Sequence, residues 1–365
     1  MPRACLAPAL LDTSLPAELV ELEQAICARV IGQAEAAAHV VRALARYRAG
    51  LAAAERPVAA FLLLGPTGVG KTLTVEVLAE LLQGSPHAAL KIHCAELRSD
   101  HELARMKGSP PGYVGWKECV PLFHESKLRE VRLRSDLALV LFDEVEKAHP
   151  ALWDLLLGLL DKGEVVLNDN TRTDFRRTLI FLTGNTGARE IAERLSGGVG
   201  FQPHTRGDIA GIAWRAADRI FSPEFRNRLT AAITYQPLGW EDVLGVCRLE
   251  LARLAGRLAT TTGSGPPPEG PPEGWPRGVS TPGQEGVALK FEEGVAEHVC
   301  REGYDPRFGA RHVKRAIERL VEDPLANLLA AGRIKPGDCL VAFVPQTEEG
   351  HHGDSPAARL RFRKT

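Results

Sequence analysis

Gly65, Pro66, Thr67, Gly68, Val69, Gly70, Lys71 and Thr72 read GPTGVGKT, which fits the phosphate-loop pattern G-x-x-x-x-G-K-[ST]. Backbone N–H groups of such a loop point at phosphates, and the following helix N-terminus adds positive potential. Lys71 would reach the β- and γ-phosphates, and the Thr72 hydroxyl would ligate Mg²⁺. A second set closes the apolar run LALVLFDE at Leu137–Glu144. Asp143 would hold Mg²⁺ through water, and Glu144 would orient and activate the attacking water. Asn185 follows TLIFLT; its amide would hold that water or the γ-phosphate, or else serve ordinary turn chemistry. Arg228 sits in FSPEFRNRLT and Arg311 in FGARHVKRAI. An arginine at the γ-phosphate is worth on the order of 10³–10⁵ in rate. Taken singly, each is a surface arginine in an ion pair.

These residues need a scaffold that presents strand ends to a nucleotide. Phe61–Leu64 is fit for a buried strand, and Leu73–Leu82 has helical apolar spacing. Strands are expected at Ala59–Leu64, Leu90–His93, Leu137–Phe142, Leu179–Thr183 and Ala232–Tyr235. Their alternation with helices predicts an α/β fold, a parallel sheet sandwiched by helices. Leu15–Tyr47 reads as two helices broken at Ile31–Gln33, and Gly163–Phe175 as a hairpin turning at Asn168–Asn170. Further on, Trp240–Leu258, Phe291–Glu302 and Ala310–Leu329 read as helices and Cys339–Val344 as a strand. They predict a smaller C-terminal α+β, largely helical domain. Thr260–Gly286, with GPPPEGPPEG, cannot bury enough apolar surface to order itself and reads as an insert in that domain. The ending ARLRFRKT is an edge strand or a basic tail. The expected division is 1–57 (N-terminal helices), 58–240 (large α/β domain), 241–345 (small domain with its insert) and 346–365 (tail or edge strand).

The chain has 365 residues, enough for two or three domains. Its net charge of −1 supplies no basic field for nucleic acid. No apolar run is long enough to span a membrane, and Cys5–Leu11, broken by Pro8, makes a poor signal peptide. Seven cysteines without a C-x-x-C pair suggest reduced thiols in a cytoplasmic setting. His93-Cys94 reads as packing, not ligation.

Together these residues resemble the Clp-type AAA+ unfoldases, specifically the second ATPase domain of their two-ring members. The resemblance runs from Arg29 to Val344 and misses only the Pro/Gly insert. RVIGQAEA at Arg29–Ala36 is similar to the family's entry motif, in which Val30 and Ile31 would pack around adenine. GPTGVGKT, LFDEVEKAHP at Leu141–Pro150, FSPEFRNRL at Phe221–Leu229 and YDPRFGARHVKRAIE at Tyr304–Glu318 follow in the family's order. The resemblance implies the AAA+ fold, ATP and Mg²⁺ as cofactors, Asn185 as sensor 1, and Arg311 as sensor 2 acting within its own subunit. It implies that Arg228 is an arginine finger acting on a neighbour's ATP, hence a homo-oligomer, a hexameric ring in this family. SPPGYVGWKE at Ser109–Glu118 resembles the pore loop, with Gly112, Tyr113, Val114 and Gly115 at its tip, although Cys119 and Val120 depart from the small or acidic residues usual there. Val199, Gly200 and Phe201 fit an aliphatic-Gly-aromatic tripeptide that docks a ClpP-type peptidase, or fold back onto the domain.

The first strand starts at Ala59, so the resemblance implies a single-ring protein without the family's N-terminal, first ATPase or coiled-coil domains. The expected function is ATP-dependent unfolding of unfolded or tagged proteins through a central pore, with a ClpP-type peptidase or an adaptor as further partners. The alternative is a non-threading AAA+ switch that assembles or dismantles one protein complex. A nucleic-acid motor is disfavoured by the near-neutral charge and by a pore segment without a basic-aromatic stretch. An inactive scaffold is disfavoured by the presence of Lys71, Asp143, Glu144, Asn185, Arg228 and Arg311.

Overall fold

The computed structural model describes residues 14–108, 120–188, 190–191, 206–260, 286–305, 309–335, 337–345 and 360–365. Its contacts divide the chain into two compact units. The first is Met1–Leu64, Gly70–Gly184 and Ala217–Thr234; the second is Gly65–Val69, Asn185–Ala216 and Tyr235–Thr365.

The first unit carries α1 (Ala17–Arg29), α2 (Ala34–Arg48), β1 (Ala59–Leu64), α3 (Lys71–Gln83), β2 (Leu90–His93), α4 (Asp100–Lys107), α5 (Glu125–Val131), β3 (Ala138–Asp143), α6 (Ala151–Lys162), β4 (Glu164–Val166), β5 (Arg172–Asp174) and β6 (Thr178–Gly184). After α7 (Arg206–Asp218), α8 (Pro223–Arg228) and β7 (Ala231–Thr234) complete it. Five strands form one parallel sheet in the order β2-β3-β6-β1-β7. Every residue of β1 and β6 is buried. That is why AAFLLL and TLIFLT read as unbroken apolar runs and not as alternating ones. Phe61 and Phe181, paired across β1 and β6, hold their rings 5.5 Å apart. The expected strands fall within a residue of the observed ones at each end, and β4–β5 is the expected antiparallel hairpin.

Gln83, the last residue of α3, is 1% exposed. Its Oε1 accepts from the backbone N–H groups of Leu133 (2.8 Å), Arg134 (2.8 Å) and Ser135 (3.1 Å). Its Nε2 donates to the Leu137 carbonyl at 2.5 Å and the Ser135 hydroxyl at 2.7 Å. One amide thus satisfies the turn that feeds β3, a buried polar group made tolerable by complete pairing. Periodicity gives no sign of it.

In the second unit lie α9 (Trp240–Thr260), β8 (Ala288–Phe291), α10 (Val295–Gly303), α11 (Arg311–Ile317), α12 (Asp323–Ala330), β9 (Cys339–Phe343) and β10 (Arg361–Lys364). Their sheet has the order β10-β9-β8, with β8 parallel and β10 antiparallel to β9. The C-terminal residues are therefore an edge strand. Two expectations change here. Phe291 ends a strand instead of starting a helix, because VALKF alternates with Leu289 inward and Gly294 (φ 90°) resets the backbone before α10. The helix expected over Ala310–Leu329 is interrupted by a π-turn at Glu318–Glu322. Pro324 has no N–H to give to Leu320, so the regular ladder breaks there.

Among the described residues, Cys27, Cys94, Cys247, Cys300 and Cys339 are unpaired thiols. Among the described residues no helix is long and apolar enough to cross a membrane. Replacing Gln83 by Leu keeps volume and leaves the Leu133, Arg134 and Ser135 N–H groups without their acceptor. We expect a loss of about 3 kcal/mol, from roughly 1–3 kcal/mol per unsatisfied buried group partly relieved by water. Thermal and denaturant melting measure it; an unchanged midpoint would show that the turn holds without the amide.

Candidate active site

The carboxyl ends of β3 and β6 place three polar residues together in the first unit. Phe142 pairs with Leu182 in the β3–β6 register, so Asp143 and Thr183 follow side by side. The buried Thr183 hydroxyl donates to Asp143 Oδ1 at 2.5 Å and accepts the Glu144 backbone N–H at 3.0 Å. Thr72, in the first turn of α3, donates its hydroxyl to the same Asp143 oxygen at 3.4 Å. Thr183 was not singled out in the sequence. Its only signal is a hydroxyl near the end of an apolar strand, and the strand register that gives it meaning is not visible there.

Glu144 has φ 55° and ψ 50°, a left-handed conformation rare for a side chain of this size. Such strain is held in place by the bond to Thr183 and belongs to sites where side-chain direction matters. Its carboxylate, half-exposed, meets Lys147 Nζ at 2.5 Å. Close by, burial first, and then the charges of Asp143, Glu146 and Glu144, push the Cys94 thiol up to about 12. Cys94 therefore stays protonated, and its Sγ lies 3.8 Å from the Ile92 carbonyl. Cys94 is packed in the core, while His93 beside it is exposed.

Lys71 opens α3 and is 7% exposed. Gly70, with φ 103°, precedes it, and a Cβ there would come 3.3 Å from Val30 Cγ1. Val30 is thus packed on the end of the phosphate loop; Ile31, its neighbour, is partly exposed.

Within the second unit, Gly65, Pro66, Thr67, Gly68 and Val69 meet the residues just ahead of α11. The Ala310 N–H donates to the Gly68 carbonyl at 3.1 Å. Gly309 has φ 55°, and a Cβ on it would lie 2.7 Å from that same carbonyl oxygen. Only glycine fits. Arg311 is the next residue along, at the start of α11. Asn185 is the residue after β6, and its carbonyl accepts from the Ala188 N–H at 3.0 Å.

Arg228 ends α8. Ser222 caps this helix by accepting from the Phe225 N–H at 3.2 Å. Trp153 of α6 packs edge-on against Phe221 and Phe225, with ring centroids 5.0 and 5.4 Å away. On this aromatic footing the guanidinium meets Asp161 Oδ2 at 2.6 Å and Glu224 Oε1 at 3.0 Å. Sequence reasoning identified the arginine but not these carboxylates. Gly112, Tyr113, Val114 and Gly115, and likewise Val199, Gly200 and Phe201, lie outside the described residues.

The Thr72 hydroxyl and the Asp143 carboxylate are hard oxygen donors of the kind Mg²⁺ prefers, so the residues fit that ion. Among the described residues no group of three or more His, Cys, Asp or Glu side chains is arranged to hold a metal by itself. A magnesium ion here would complete its shell with phosphate and water, its usual mode.

Comparison with known proteins adds three findings. Two family models match in succession: an AAA domain (Cdc48 subfamily) over residues 56–232, and the C-terminal D2-small domain of ClpB over residues 282–342. The chaperone protein ClpB of Pseudomonas putida is 36% identical over 331 residues, covering 91% of this chain and 34% of that protein. The chloroplastic chaperone protein ClpD of Arabidopsis thaliana is 34% identical over 339 residues, covering 91% and 32%. This chain spans about a third of the length of these curated relatives. A closed-state structure of Hsp104 with ATPγS and casein superposes with a TM-score of 0.70 at 25% identity, over 88% of this chain and 50% of the other. An extended Saccharomyces cerevisiae Hsp104–casein complex gives a TM-score of 0.74 at 24% identity over 92% and 52%, a likeness of fold.

Thr183→Val removes the donor to Asp143 and the acceptor for Glu144 while keeping the shape. We expect ATP turnover to fall on the order of 10–100-fold, as two lost hydrogen bonds to a working pair imply. Thr183→Ser restores most of it. Steady-state phosphate release measures both, and wild-type rates in the valine variant would remove Thr183 from the site.

Proposed function

Because the chain belongs to the Clp-type AAA+ ATPases and matches their second ATPase domain, we propose that it is an ATP-driven protein unfoldase. The observation that carries the ATPase reading is the meeting of Thr72, Asp143, Thr183 and Glu144 at the strand ends. In this reading Gly65–Gly70 cradle the phosphates with backbone N–H groups, and Lys71 neutralises the β- and γ-phosphates. Val30 and Ile31 border the adenine. Thr72 and Asp143 hold Mg²⁺, which when bound with ATP neutralises phosphate charge. Glu144 takes the proton of the attacking water, its direction set by Thr183. Asn185 orients that water, and Arg311 senses the γ-phosphate from its position after Ala310.

The rest follows from the family. Residues 58–240 form the large ATPase domain and 241–345 the lid, with helices before and an edge strand after. Arg228 completes the ATP site of a neighbouring copy, which requires head-to-tail contacts that close into a hexameric ring. Within its own chain the guanidinium is paired with Asp161 and Glu224, contacts it would exchange for the neighbour's γ-phosphate in this reading. Gly112, Tyr113, Val114 and Gly115 grip an extended polypeptide, and hydrolysis moves them along the pore. The substrates are unfolded or tagged proteins. Val199, Gly200 and Phe201 dock a ClpP-type peptidase, an adaptor is a further partner, and unpaired thiols suit a cytoplasmic setting.

Two variants test this. Glu144→Gln should retain ATP binding and ring assembly while turnover drops at least 100-fold; normal phosphate release would sink the ATPase assignment. Tyr113→Ala should keep basal ATPase within about twofold and stop unfolding of a tagged fluorescent protein, since it removes only the grip. Undiminished unfolding would exclude threading by this residue.

A further inference from the structure

Two cysteines far apart in the sequence meet inside the second unit. Cys247 lies on α9 and Cys300 on α10, and both are fully buried. The Cys247 thiol donates to the Ala296 carbonyl at 3.6 Å, and the Cys300 thiol to the Val243 carbonyl at 3.7 Å. Ala296 sits one turn before Cys300, and Val243 one turn before Cys247. Helical side chains lean toward the preceding turn, so this reciprocal pattern brings the two sulfurs together between the helices. They are hydrogen-bonded to each other. Beside them Arg248 meets Glu297 at 2.6 Å, which fixes the same register at the surface.

Cys94 in the first unit shows what a buried thiol does by itself. Its Sγ faces the Ile92 carbonyl, and burial with nearby carboxylates keeps it protonated. Cys300 differs. The Cys247 S–H stabilises its thiolate and draws its pKa down, while that same bond, together with burial, pushes the Cys247 thiol up. One sulfur of the pair is thus the readier nucleophile, and the other keeps a proton to give. Among the described residues no third His, Cys, Asp or Glu completes a metal cluster with them. The chemistry open to two facing thiols is therefore with each other.

We propose that Cys247 and Cys300 form an oxidation site: hydrogen peroxide converts the pair to a disulfide that staples α9 to α10, and a thiol reductant reopens it. The Cys300 thiolate attacks one peroxide oxygen. The O–O bond breaks, giving a Cys300 sulfenic acid and, with a proton, water. The Cys247 sulfur then attacks the Cys300 sulfur, the S–O bond breaks, and hydroxide leaves with the Cys247 proton as a second water. Two thiols and one peroxide thus give one disulfide and two waters. Peroxide enters when α9 and α10 part locally, and the S–S bond forms when they close, so the reaction is slower than that of an exposed thiol. The staple reaches further than the two helices it joins. Gly303 at the end of α10 lies so near α11 that a Cβ on it would be 2.8 Å from Ala316 Cβ. Restraining α10 therefore restrains the helix that begins at Arg311.

The test exposes the full chain, folded and reduced, to hydrogen peroxide, blocks remaining thiols with N-ethylmaleimide in denaturant, and digests with trypsin without reductant. Cys247 falls in the peptide Leu229–Arg248 and Cys300 in Phe291–Arg301. A bond between them gives a single species, lighter by two hydrogens than the two peptides together. We expect that species to hold most of both cysteines and to vanish with dithiothreitol, while Cys94 remains free for N-ethylmaleimide. Cys247→Ser and Cys300→Ser should each abolish it. With the sulfenic-acid trap dimedone, Cys300 in Cys247→Ser should label roughly fivefold more than Cys247 in Cys300→Ser. Free thiols at both positions, under peroxide that has oxidised the half-exposed Cys339, would overturn the proposal. So would links from either cysteine to any other, which mark an unfolded chain and not a built pair. Equal dimedone labelling of the two variants would overturn the assignment of Cys300 as the attacking sulfur.

Discussion

A parallel strand buried on both faces has only its ends to offer to chemistry. β1, β3 and β6 are apolar along almost their whole length, so the polar side chains they carry sit at their ends, Thr178 where β6 begins and Asp143 and Thr183 at the carboxyl ends. Hydrogen-bond register then decides which of those groups meet. Because Phe142 lies beside Leu182, Asp143 falls beside Thr183, and one hydroxyl serves both Asp143 and the Glu144 backbone. A slip of one residue would separate them and turn every apolar side chain the wrong way. The sheet's burial therefore fixes the site's geometry as firmly as it fixes the fold.

Polar groups inside this framework are satisfied by single, multiply bonded side chains. Gln83 holds three backbone N–H groups and a carbonyl of the turn into β3. Asn168 holds two successive carbonyls at the end of α4. In each case an amide does what a strand or helix ladder cannot, because the segment it serves is irregular. Loops positioned in this way can carry function without losing their place.

Close backbone approach is the second recurring device. Ala310 N–H reaches the Gly68 carbonyl because Gly309 has no Cβ to obstruct it, and Arg311 follows at once. The phosphate loop and the start of α11 thus share a hydrogen bond instead of a side-chain contact. Such a bond responds directly to any movement of the loop's peptide planes.

The sequence by itself determined the five parallel strands, the two N-terminal helices, the hairpin and the phosphate loop, because apolar runs and glycine spacing report burial and backbone conformation locally. It also named Lys71, Thr72, Asp143, Glu144, Asn185, Arg228 and Arg311 as candidate site residues, from their types and order. It left the strand at Ala288–Phe291 and the π-turn at Glu318–Glu322 unread, since a short alternating run and a missing proline N–H count only once neighbours are in place. Only the tertiary structure decided that Thr183 joins Asp143 to Glu144, that Asp161 and Glu224 face Arg228, and that Asn168 and Gln83 hold their turns. Each of these depends on strand register or on contacts between residues distant along the chain, and no local pattern of residue types encodes a distance in space.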